Sequence, residues 1–214
     1  MIIDILGPRC AGKSTLMDAV TQRNPDIRYF SLGALTREEI ARDTALGRTM
    51  GSYISQGSYP QGFLAEVMTD AIDKIKQPKI GIDGLPRSVL EVQDLVQIVT
   101  QTRHCCTGIV EITAKSKTLY DRSQRRVYCP KCNLHTIGQT GEICTRCGDV
   151  KYIKRDEDDP EKLQHSLTNY FAHKDAIFQK LKDSFPYAAT IYVSTDNNCF
   201  PQAEKTLLQF INNL

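Results

Sequence analysis

No apolar run in this 214-residue chain approaches the roughly 18 residues that a membrane-spanning helix requires. The formal net charge is only +2, too small by itself to imply nucleic acid or a membrane surface as partner. There is no internal repeat and no low-complexity linker. A basic leader is also missing, and Asp4 interrupts the first apolar run. That argues against a secretory signal, so the cytoplasm is the expected compartment. Without export, the eight cysteines are not expected to form a disulfide framework. What remains is a chain of one ordinary domain with small insertions, 41% hydrophobic and able to bury a core.

Charge and pattern are unevenly spread. Residues 115–155 hold ten Lys and Arg against three acidic residues, net +7, which leaves the rest of the chain at −5. Short apolar runs predict strands at 1–6, 27–30, 79–83, 108–113 and 190–193. Helical patterns are predicted at 13–22, 89–100, 116–127, 161–185 and 201–213. Between 35 and 76 shorter helices are expected, broken at Gly47, Gly57 and Pro60. Strands alternating with helices predict an α/β fold, a three-layer sandwich around a five-stranded parallel sheet.

Gly7-Pro8-Arg9-Cys10-Ala11-Gly12-Lys13-Ser14 fits G-x-x-x-x-G-K-[ST], directly after a strand and at the start of a helix. Glycines let the backbone wrap so that successive N–H groups point at phosphate oxygens, and the helix N-terminus adds positive potential. Lys13 is then expected on the β- and γ-phosphates of ATP and Ser14 on magnesium, with Thr15 next in line.

Cys129-Pro-Lys-Cys132 and Cys144-Thr-Arg-Cys147 are two C-x-x-C knuckles. Four thiolates from two such turns suit a closed, tetrahedral zinc site with no open position for chemistry. The same set would also suit iron, and His135 lies near enough to stand in for a ligand.

Beyond these motifs, nearly the whole chain resembles the adenylate kinase family. Asp83-Gly84-Leu85-Pro86-Arg87 resembles that family's D-G-[FY]-P-R turn, and Ser31 to Arg37 its S-T-G-D-x-x-R segment. Leu46-Gly47 and Gly57-Ser58-Tyr59-Pro60 have the spacing of its second monophosphate segment. Asp121-Arg122 with Arg125-Arg126, and Arg155 with Glu157-Asp158, resemble the two ends of its lid, of which a zinc-bearing version is known. The resemblance implies a P-loop kinase core at 1–30, 60–121 and 156–214, a helical monophosphate-binding insertion at 31–59 and a zinc-ribbon lid at 122–155. It implies ATP- and magnesium-dependent phosphoryl transfer to a nucleoside monophosphate, AMP by the family as a whole. Lys13, Arg87, Arg122 and Arg155 would be catalytic. ATP and magnesium would be held by Gly7, Arg9, Cys10, Ala11, Gly12, Lys13, Ser14, Thr15, Asp83, Arg122 and Arg126. The monophosphate would meet Leu32, Gly33, Arg37, Tyr59, Gly84, Arg87 and Glu91. A monomer is expected, with neither membrane nor nucleic acid as partner.

Four positions depart from the family pattern: Arg9-Cys10 for Pro-Gly, Leu32 for threonine, Glu91 for the base-reading glutamine and Ser166 for an arginine. Either Glu91 or Gln93 could read the base; a carboxylate there favours a donor edge such as that of guanine. Lys174 or Arg9 could replace the charge lost at Ser166. The departures leave two alternatives open: a weakly active or non-catalytic nucleotide-binding relative, and a zinc-ribbon P-loop protein acting on nucleic acid. The second lacks the aromatic interleaving of a stacking surface, since Tyr120, Tyr128 and Tyr152 are the only aromatics in the basic segment.

Overall fold

The computed structural model describes residues 1–55, 59–132, 134–155, 158–196 and 199–214. In chain order its strands are β1 (Ile2–Leu6), β2 (Ile27–Ser31), β3 (Lys79–Asp83), β4 (Cys106–Thr113), β5 (Arg126–Tyr128), β6 (His135–Ile137) and β7 (Ala189–Ser194). Five of them form one parallel sheet in the order β2-β3-β1-β4-β7, while β5 and β6 pair as a separate antiparallel ribbon. β1 sits at the centre and is buried along its whole length. Its apolar run, broken only at Asp4, follows from that place, since a central parallel strand meets helices on both faces.

The helices are α1 (Lys13–Arg23), α2 (Leu32–Ala41), α3 (Ala45–Ser55), α4 (Phe63–Asp73), α5 (Val92–Gln101), α6 (Ser116–Arg125), α7 (Pro160–Ser184) and α8 (Phe200–Asn212). Ile3, Ile5, Val110 and Ile112 face α1, α6 and α8 through Leu16, Leu119 and Leu207. Ile2, Ile80, Ile82 and Ile109 face α4, α5 and the second half of α7 through Met68, Leu95 and Phe178. Each such side chain contributes roughly 1.5–3 kcal/mol on full burial. The result is the expected three-layer α/β sandwich. Among the described residues, no helix is long and apolar enough to cross a membrane.

Three expectations are corrected. Gly47 does not break a helix but lies inside α3, because a Cβ there would collide with the Glu39 carbonyl of α2. Glycine lets the two helices cross backbone against backbone. The helix predicted over 116–127 stops at Arg125; Arg126 and Val127 turn extended, and Val127 is buried in the ribbon. Residues 89–91 form a turn before α5 instead of its first turn, with the Glu91 N–H donating to Ser88 Oγ. The break expected at Gly57 and the motif positions Ser58 and Glu157 lie outside the described residues. Elsewhere local chemistry accounts for the boundaries: Ser31 Oγ accepts the Ala34 N–H at the start of α2, and Asp159 accepts the Glu161 and Lys162 N–H groups ahead of Pro160.

One buried group is at odds with its surroundings. Asp4, on β1, is fully buried, and neither carboxylate oxygen has a hydrogen-bond partner among the described residues. Burial first, and then the charge of Asp83, push its carboxyl well above the usual range.

Candidate active site

The loop between β1 and α1 lies at the carboxyl edge of the sheet, next to the end of β3, where ligands bind in open α/β sheets. Gly7 has a φ of 146°, and a Cβ there would strike the Ile112 carbonyl, so only glycine lets the loop leave β1 this way. Gly12, at φ 84°, turns the chain into α1, leaving the helix N–H groups facing the open side. Cys10 holds φ 63° without being glycine. Lys13 Nζ donates to the Gly7 and Pro8 carbonyls at 2.8 and 3.1 Å, folded across the loop it would share with a phosphate.

Around this loop a network fixes the other polar groups. Asp83 Oδ1 lies 3.7 Å from Lys13 Nζ, and Asp83 Oδ2 accepts the Tyr29 hydroxyl at 2.8 Å. Tyr29 OH is also 3.3 Å from Ser14 Oγ, so one phenol links the two groups suited to a divalent cation. Arg122 donates to the Cys10 carbonyl at 3.2 Å, to Thr195 Oγ1 at 3.0 Å and to the Thr195 carbonyl. Thr195 in turn donates to the Ala11 carbonyl at 2.5 Å. Arg126 grips buried Asp158 in a two-bond fork. Sequence reasoning did not single out Tyr29 or Thr195. Each is a single polar residue on or after a strand, and no spacing rule flags that.

Across the opening lie the residues expected to meet a monophosphate. Gly33, Arg37, Tyr59, Gly84, Arg87 and Glu91 line one cleft of about 1700 Å³ together with the phosphate loop, Thr15, Asp83, Arg122, Arg126 and Arg155. A typical single-ligand site is about 300–1,000 Å³, so this cleft has room for two nucleotides. Leu32 does not line it; its side chain is in the core. Glu91 Oε2 accepts the Arg87 N–H at 2.6 Å, and burial raises its pKa despite that bond. Gln93, on α5, is exposed and outside the cleft. On α7, Ser166 and Lys174 both face in, and Lys174 Nζ lies 3.5 Å from buried Glu111, which also accepts the Tyr170 hydroxyl at 2.7 Å.

Beyond the cleft, the four knuckle sulfurs lie within 4.8 Å of one another, with Cys129–Cys147 at 3.7 Å and Cys132–Cys144 at 3.6 Å. A zinc–sulfur bond of about 2.3 Å gives a tetrahedron edge of about 3.8 Å, so the sulfur set fits zinc. The Cys132 N–H points at Cys129 Sγ at 3.4 Å, as in a metal knuckle. His135 takes no part in this set; its Nε2 lies 3.2 Å from Arg37 Nη2, on the opposite wall of the cleft.

A phosphate loop opposed by arginines, under a cysteine-clipped ribbon, matches what the comparisons find. The family model for adenylate kinase matches residues 5–184. The adenylate kinase of Lactobacillus delbrueckii subsp. bulgaricus is 28% identical over 171 residues, covering 76% of this chain and 78% of the relative. Those of Caldanaerobacter subterraneus subsp. tengcongensis (27% over 178 residues, 79% of each chain) and Kosmotoga olearia (28% over 177, 79% and 81%) are similar to it to the same degree. With the match running through the loop, the opposing arginines and the ribbon alike, the chain belongs to the adenylate kinase family of nucleoside monophosphate kinases.

Proposed function

We propose that the chain transfers the γ-phosphoryl group of magnesium-bound ATP to AMP, giving two ADP. The observation that carries this is the single cleft, with the phosphate loop on one wall and Arg37 and Arg87 on the other. Phosphoryl transfer is polyanionic and loose, so its catalysis is positioning and charge neutralisation in a closed site. Lys13, Arg122, Arg126 and Arg155 would hold ATP phosphates, and Arg37 and Arg87 the acceptor phosphate. Ser14 and Asp83 would hold magnesium, directly and through its waters; bound there, it offsets charge on the β- and γ-phosphates. The four cysteines would hold zinc, which supplies a cross-link and no reaction step. The 31–59 segment is then the acceptor-binding insertion and 122–155 the lid over a core of 1–30, 60–121 and 156–214. We place this enzyme in the cytoplasm, as a monomer.

Glu91 is the test of the acceptor. Oε2 is engaged by the Arg87 N–H, which leaves Oε1 to meet one base donor, such as the adenine amino group. With its oxygen kept on the Arg87 N–H, a glutamine at 91 would present its NH2 to the base, a donor that suits adenine N1 and opposes guanine N1–H. ADP production should be followed with ATP, magnesium and a panel of monophosphates, and kcat/KM for AMP and GMP compared in wild type and Glu91→Gln. AMP should be the better acceptor, and the variant should favour it further by one polar contact, about 1–3 kcal/mol. Preference for GMP in the wild type would overturn the AMP assignment. An unchanged ratio would remove Glu91 from the base pocket.

Ser166 favours a second reading, a relative that binds both nucleotides but turns over weakly. Lys174 faces the cleft, yet its ammonium is shared with Glu111. The same assay separates the two, because weak turnover with ordinary KM values belongs to the second.

A further inference from the structure

His135 has no part in the sulfur cluster, and the family motifs discussed above do not use it. It opens β6, and its ring lies over that of Tyr128 at 5.7 Å and 26°, so the imidazole is held in one plane by the ribbon. From there it crosses the cleft to Arg37 on α2, 98 residues earlier in the chain. A guanidinium can only donate. His135 Nε2 must therefore be the nitrogen with the lone pair, and the ring proton sits on Nδ1. Nδ1 is buried without a hydrogen-bond partner among the described residues. Burial, and then Arg155, Arg37 and Arg126, push the imidazole down to about 3, so it stays a neutral acceptor at any working pH.

We infer that His135 is a positioning residue for Arg37: the ribbon helps to aim the acceptor-side guanidinium through the His135 imidazole. The inference rests on Arg37 as an acceptor-phosphate residue. Its content is a link between two elements that share no strand or helix: the segment expected to cover ATP sets the geometry on the acceptor side. A rotamer-rich arginine held this way meets its anion with less freedom left to lose. The cost of the unpartnered Nδ1–H falls on the closed state alone, because an open ribbon would return that nitrogen to water.

Two measurements on the full chain test it. Nitrogen-15 spectra of the histidine rings, with His135→Gln identifying the signal, should show the proton on Nδ1 in the wild type. In Arg37→Ala that tautomer preference should be lost. In kinetics, His135→Ala should raise the acceptor KM roughly 10-fold, the size of a charge-assisted hydrogen bond. The KM for ATP should stay within about twofold. His135→Gln, whose carbonyl can also accept from Arg37, should recover most of the loss. In an Arg37→Ala background, His135→Ala should add nothing further. A proton on Nε2 in the wild type, equal changes in both KM values, or additive effects in the double variant would each overturn the inference. An unchanged acceptor KM in Arg37→Ala removes the acceptor reading of Arg37 and this role with it, while the spectra still report whether the contact exists.

Discussion

β1 and the ribbon both present groups to one cleft, but they are held in different ways. β1 has five consecutive buried residues, a strand on either side and helices above and below. β5 and β6 have three residues each, and the cluster beneath them has four buried members, Val127, Cys129, Cys144 and Tyr152. Two of those four are cysteines of the sulfur set. Burial of Val127 and Tyr152 supplies only a few kcal/mol at roughly 1.5–3 each. A structural zinc site is worth roughly 10–16 kcal/mol at neutral pH. The core is thus held by its own packing, whereas the ribbon would be held by the zinc proposed above. A perturbation of one should leave the other nearly untouched.

The largest effect should come from the phosphate loop. Lys13→Ala removes a cation from the phosphate loop, where among the described residues its amine binds loop carbonyls and Asp83 and no core side chain depends on it for a hydrogen bond. Transfer should fall by at least about 10²–10³, with the melting temperature within about 2 °C of wild type. Full activity in a clean Lys13→Ala preparation would falsify the kinase reading. Next comes the ribbon. Elemental analysis should find about one zinc per chain, and Cys129→Ser or a strong chelator should raise amide exchange across 126–155. The sheet should keep its protection. Equal deprotection of β1 and the ribbon would break the comparison, and a metal-free protein with an ordered ribbon would remove its cause.

The smallest effect probes the core's one misfit. Asp4 is neutral in the folded protein over a pH range in which the unfolded chain has it ionised, so folding takes up a proton there. Stability should therefore fall as pH rises from the ordinary carboxylate range towards the raised folded value. Asp4→Asn should flatten that slope. Asp4→Leu should flatten it and add about 1–3 kcal/mol, the cost of a buried polar group without a partner. Denaturant melts at several pH values measure both. A wild-type slope retained in Asp4→Asn would mean that another group carries it.

Much of this could be read from spacing alone. The loop motif, its flanking strand and helix, and the paired knuckles are local patterns whose chemistry needs those residues in that order. The inner strands β1, β3 and β4 were legible because buried parallel strands are mostly apolar runs. Gly47 and Val127 were misread because their roles are tertiary. One glycine admits a neighbouring helix, and one valine is buried against the cysteine cluster of the ribbon. The same limit hid Tyr29 and Thr195. Each earns its place by meeting a group far away in sequence, Asp83 in one case and Ala11 with Arg122 in the other.

The fork between Arg126 and Asp158 joins the two stems of everything that lies between them. Seen from the sheet, the chain leaves α6 and re-enters α7 at one neck, fastened by a buried ion pair. How much polypeptide hangs beyond a fastened neck hardly changes the stability of the sheet, since doubling a loop costs only about 0.6 kcal/mol in closure entropy. The enclosed stretch is a cassette. Its length, and even its means of holding itself together, can change by insertion or deletion while the five-stranded sheet stays as it is.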